Sequence, residues 1–330
     1  MGMDVSYHPV DEALLNERVV PYVRGKGSLD DLMPRAVRLA HVHYRANAWG
    51  LGLLELSHQE TERRRSAQGK GKAVAGPPPV VPEAFDSDLH VWGRPFFITA
   101  ETPAEVSEAI DRYQAAGPEE VDTIARDMLR RLGPGLEGLV TPQTEGTLPA
   151  ESDLAQQLRW KIDLFRDAYR AWKRGEQVTA PDGERHDPLE LFATDFTLAA
   201  LEFIARFQPG WMARGHVWPT YLLGEAGLDC SGLFGPAYRM LGGLGDELPD
   251  LKDALEETIT QNYTVGGYVA PASVSPTREL MEANRQALGE PTECHVDVRK
   301  IIEALYDAGR RGLAFAEAAE VYSGPMGIMN

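Results

Sequence analysis

The sequence predicts a helix-rich α+β fold with a few short strands and no regular strand–helix alternation. Three observations predict it. Apolar residues recur at helical spacing along much of the 330-residue chain, as in Leu154, Leu158, Ile162, Phe165, Tyr169 and Trp172. Only short stretches, among them 4–10, 95–100 and 263–269, have the alternation or compact apolar run of a strand. The strands and helices follow no β–α rhythm, and nothing repeats at a fixed period.

Taken in order, Asp4 to Val10 reads as the first strand, and Asp11 as the cap of a helix holding Leu14 and Leu15. Pro34, a residue favoured in a first helical turn, opens a second helix through Val37, Leu39, Val42, Tyr44 and Trp49, a pattern that Gly50 and Gly52 interrupt. Residues 61–82, TERRRSAQGKGKAVAGPPPVVP, are basic, rich in Gly and Pro, and nearly free of large apolar side chains. Such a composition does not offset its ordering entropy. The expected organisation is therefore a small N-terminal α+β part over 1–60, a flexible linker over 61–82, and a main helix-rich domain over 83–330.

Within the main domain, Thr102 caps a helix with Pro103 in its first turn, and Glu119 to Leu132 forms an amphipathic helix. Ser152 or Asp153 caps the long helix that ends in basic residues before Gly175. The most apolar helix begins at Pro188. Its Leu191, Phe192, Phe196, Leu198, Leu201, Phe203, Ile204 and Phe207 fall on more than one face, which marks burial on several sides. Beyond the loop that follows come a helix at 251–259, a strand with a glycine bend at 263–269 and a helix at 276–288. Residues 294–306 read as a helix, with a strand over 293–298 as the alternative, and 313–322 as a last strand or helix.

Composition narrows the function. With 33 Lys and Arg against 50 Asp and Glu, the formal charge is −17. That field repels nucleic-acid phosphates and anionic membrane surfaces, and it suits a protein partner with a basic surface. Two cysteines, Cys230 and Cys294, cannot build a disulfide framework, and no run of 18 apolar residues or export signal is present, so a cytoplasmic location is expected. His41 and His43, with His58, would suit a metal on a strand, but helical spacing turns positions two apart away from each other. No metal site and no cofactor is expected.

Two features carry chemistry. The loop with Trp211, His216 and Trp218 groups aromatic rings around an imidazole, a pattern for a binding pocket or for packing under a loop. After it, Gly-Leu-Asp-Cys-Ser-Gly-Leu forms a turn that delivers Cys230 to a second apolar segment, Leu233 to Leu241. Pro219, Tyr221, Gly224, Gly227, Asp229, Cys230, Ser231, Gly232, Leu233, Tyr238, Gly242, Leu248 and Pro249 together resemble the nucleophile turn of NlpC-type cysteine peptidases. These are papain-like enzymes that cleave peptidoglycan stem peptides or related amide bonds. The resemblance implies Cys230 as nucleophile at a helix N-terminus, with His295, the one histidine downstream, as its base.

The reading from the residues themselves is different: Cys230 is a packed cysteine in a tight turn. On that reading the chain is a non-catalytic, acidic binding protein, of the kind that neutralises a toxin or regulates a partner. Trp211, His216, Trp218, Tyr221 and Asp229 are its candidate contact residues. A cysteine amidase and, more weakly, a small-molecule sensor are the alternatives.

Overall fold

The computed structural model describes residues 5–69, 90–92, 98–144, 146–179, 183–207, 213–248, 265–289, 294–319 and 321. It is a helix-rich α+β protein with short antiparallel strands. The chain divides into two compact units, one of residues 1–37 and 149–325, the other of 38–148 and 326–330. This is not the division at 61–82 that composition suggests. The reason lies in the helix Met33–Gly69, whose 37 residues pass through both Gly50 and Gly52 and take in the first nine residues of the expected linker. Its polar end is held by local pairs: Gln59 donates to Glu55, the Thr61 hydroxyl to the Ser57 carbonyl, and Arg63 to Glu60 through two hydrogen bonds. Residues 70–82 lie outside the described residues.

In the second unit Arg38 of this helix donates to the Gln114 and Ala116 carbonyls at the end of Pro103–Ala115, which Thr102 caps as expected, and Arg45 and Trp49 reach Asp122 of Val121–Leu132. Asp122 fixes the register by accepting from Arg45 at 2.6 and 2.7 Å and from Trp49 at 3.0 Å. Gly52 is required rather than tolerated, because a Cβ there would sit 2.1 Å from the Thr141 carbonyl oxygen. The strands β2 (His90–Trp92) and β3 (Ile98–Ala100) pair antiparallel. Residues 93–97 lie outside the described residues.

The first unit is built on an antiparallel sheet that starts with β1 (Val5–Val10). A small hairpin of β4 (Val178–Thr179) and β5 (Arg185–His186), absent from the sequence reading, stands apart from it. The sheet continues with β6 (Ala213–Gly215), β7 (Gly235–Pro236), β8 (Val265–Val269) and β9 (Ala314–Ala319), in the order β6-β1-β9-β8-β7. The last strand resolves the alternative left open over 313–322. Residues 251–259, expected to be helical, lie outside the described residues.

All six residues of β1 are buried, polar Ser6 and His8 included. Alternation alone would have left that pair in water, but β1 packs against both Thr197–Ala205 and His295–Arg310, so both faces are covered. Ser6 donates to the Ala318 carbonyl at 3.1 Å and lies 2.8 Å from the His8 ring, which satisfies the buried polar atoms. His295–Arg310 is helix, not strand, and the helix expected at 276–288 is two, Pro271–Ala283, which starts five residues before Pro276, and Arg285–Gly289.

The apolar segment from Pro188 forms three joined pieces: Pro188–Leu191, a wide turn Phe192–Phe196, and Thr197–Ala205, in which every residue is buried. Asp187 caps it, accepting from Leu189 at 2.8 Å. The wide turn sets the Phe192 and Phe196 rings 5.1 Å apart, and both meet Phe165 of the helix Glu151–Arg174 at 5.2 and 4.8 Å. That helix starts at Glu151 with Ala150 as its cap, so Ser152 and Asp153 lie in its first turn rather than ahead of it. Phe196 is fully buried at the middle of this ring cluster. Phe196→Ala is expected to cost about 3–5 kcal/mol of stability in urea unfolding, the range for a large core truncation. A loss below about 1 kcal/mol would show that the cluster collapses to fill the gap.

Candidate functional site

The site is best built from a carboxylate that the sequence reading passed over. β9 reads Ala-Phe-Ala-Glu-Ala-Ala, and Glu317 is its one charged residue, 1% exposed. Burying a carboxylate is costly unless donors replace water. Three do. The Thr220 hydroxyl donates at 2.5 Å, the Thr220 backbone N–H at 3.0 Å and the Gly267 N–H at 2.7 Å. Thr220 is the second residue of the short helix Pro219–Glu225, where backbone donors have no intrahelical acceptor, so Glu317 completes that helix end from across the sheet.

The neighbouring strand makes room for it. A register shift between Val265 and Tyr268 leaves Gly266 and Gly267 beside Glu317. A Cβ on Gly266 would lie 2.7 Å from the Trp218 ring and 2.8 Å from Glu317 Oε1. One on Gly267 would lie 2.5 Å from the Phe234 ring and 2.7 Å from the Thr220 methyl. Trp218 therefore fills space over the glycines, half-buried, instead of lining an open pocket.

On β1, Tyr7 stands directly opposite Glu317 in register, so the two side chains leave the same face of the sheet. The Tyr7 hydroxyl donates to the Val217 carbonyl at 2.7 Å. Burial, with the charges of Asp297 and Glu317 adding to it, raises its pKa well above the ordinary phenol range. His216, on the loop between β6 and Pro219, lies with Nδ1 3.8 Å from Asp297 Oδ2, and its side chain is 75% exposed.

The cysteine turn abuts this centre. Asp229 Oδ1 accepts from the Ser231 N–H at 3.0 Å and its hydroxyl at 2.7 Å, and the Cys230 carbonyl accepts from Leu233 and Phe234. These bonds close a turn that runs into β7 and then a 3₁₀ segment, Ala237–Leu241. No helix begins at Cys230, so the expected dipole assistance is absent. The half-buried thiol is pushed above its ordinary range, chiefly by burial and further by the negative charges of Asp229 and Glu317. Among the described residues no hydrogen bond joins the Cys230 thiol to an imidazole. His295 is exposed at the first position of its helix, its ring against Gly289, where a Cβ would meet Nδ1 at 2.1 Å.

The structure thus brings together His216, Trp218 and the cysteine turn, around residues the sequence did not single out: Tyr7, Asp297 and Glu317. Tyr221 points outward, 54% exposed. Trp211 lies outside the described residues. The signal for Glu317 was a lone carboxylate in an alanine-rich strand; the glycine pair was legible as a bend, but not as the room made for that carboxylate. His41 and His43 sit on the Met33–Gly69 helix, and burial lowers His43 to a pKa of about 4.

The arrangement defines a buried, donor-satisfied carboxylate centre bordered by a half-buried thiol in a helix-rich α+β unit. The chain matches no protein-family model, no curated protein and no solved structure.

Burial pushes the Glu317 carboxyl above the ordinary carboxylate range, against the three donors that hold it down. A carboxyl whose folded value is raised favours folding while it is protonated in both states, and that contribution fades as the pH rises through the raised value. Glu317→Gln removes this dependence. The melting temperature of the variant relative to the parent is expected to rise as the pH passes from below the ordinary carboxylate range to above the raised value. A difference that is flat or falling across that window contradicts the assignment.

Proposed function

We propose that the chain is a non-catalytic binding protein for a protein partner with a basic surface, of a toxin-neutralising or regulatory kind, acting in the cytoplasm. One observation carries the choice against the amidase: burial of Cys230, with the charges of Asp229 and Glu317, favours the thiol over the thiolate and outweighs the backbone hydrogen bond that acts the other way. A cysteine nucleophile needs the reverse, a nearby cation or an imidazole placed to take its proton. The likeness to the peptidase turn then describes a backbone shape, with Asp229 and Ser231 closing the turn rather than serving catalysis.

The partner chemistry follows from charge. A formal −17 attracts a basic surface and accelerates its encounter, and most of that negative balance falls on residues 1–37 and 149–325. Asp229 and Tyr221, both exposed beside the cysteine turn, belong to the same unit and offer an acidic and an aromatic contact. Among the described residues no helix is long and apolar enough to cross a membrane.

Full-length chain immobilised on a resin should retain a basic protein that is released as salt is raised to about 1 M, where the screening length falls to about 3 Å. Cys230→Ala should retain the same protein equally well. Retention indifferent to salt counts against the electrostatic surface. An amide-hydrolysing activity lost in Cys230→Ala would replace this reading with the amidase.

A further inference from the structure

We draw no further inference here: the strongest candidate, the buried Arg206 guanidinium at the C-terminal end of Thr197–Ala205, whose Nε and Nη1 meet no hydrogen-bond partner, carries none, because among the described residues nothing shows a cavity or an open path by which an anion could reach it.

Discussion

One carboxylate sets the constraints for this part of the molecule. Glu317 lies in the middle of β9, out of water, so its charge must be answered by fixed donors. Meeting that demand draws three segments together: the first turn of Pro219–Glu225, the bent strand β8, and β9 itself. The glycines at 266 and 267 are a consequence, since side chains there would strike the carboxylate, Trp218 or Phe234. The loop before Pro219 is pinned by the same arrangement, and it carries Val217, whose carbonyl holds Tyr7. A neutral, apolar residue at 317 would leave the Thr220 and Gly267 N–H groups without acceptors, so the polar tie and the local backbone depend on each other.

The same negative charge colours its neighbours. Burial is the main cause that raises Tyr7 and Cys230, and the charges of Asp297 and Glu317 at the tyrosine, and of Asp229 and Glu317 at the cysteine, add to it. For tyrosine the effect is to keep a hydroxyl available as a donor. For cysteine it opposes the ionisation on which nucleophilic chemistry depends. A turn sequence alone does not set reactivity; burial and the surrounding charge do, and part of that charge, Glu317, comes from β9, distant in the chain.

How much of this was legible in the sequence follows from the range of each interaction. The helix Glu151–Arg174, which buries one broad face, and Thr197–Ala205, buried all round, were readable because their apolar spacing is a local property. The extension of Met33–Gly69 through a basic, polar stretch was not, because it rests on side-chain pairs three and four residues apart within a composition that resembles a linker. The cysteine turn and the His216–Trp218 loop were both noticed as separate features. Their meeting around Glu317 was not, since it is set by the pairing of β1 with β9 across more than 300 residues. Ser6 and His8 show the same limit from the other side: a strand covered on both faces no longer follows the alternation that identified it.

Whether this site can act on an amide turns on the state of the sulfur at position 230. The direct measurement is the titration of that thiol in the folded Cys294→Ser chain, followed by thiolate absorbance or by the pH dependence of alkylation. Ionisation above the range of a free cysteine is expected, with slow alkylation at neutral pH. Ionisation below neutrality would contradict it and point to a positive group beside Cys230.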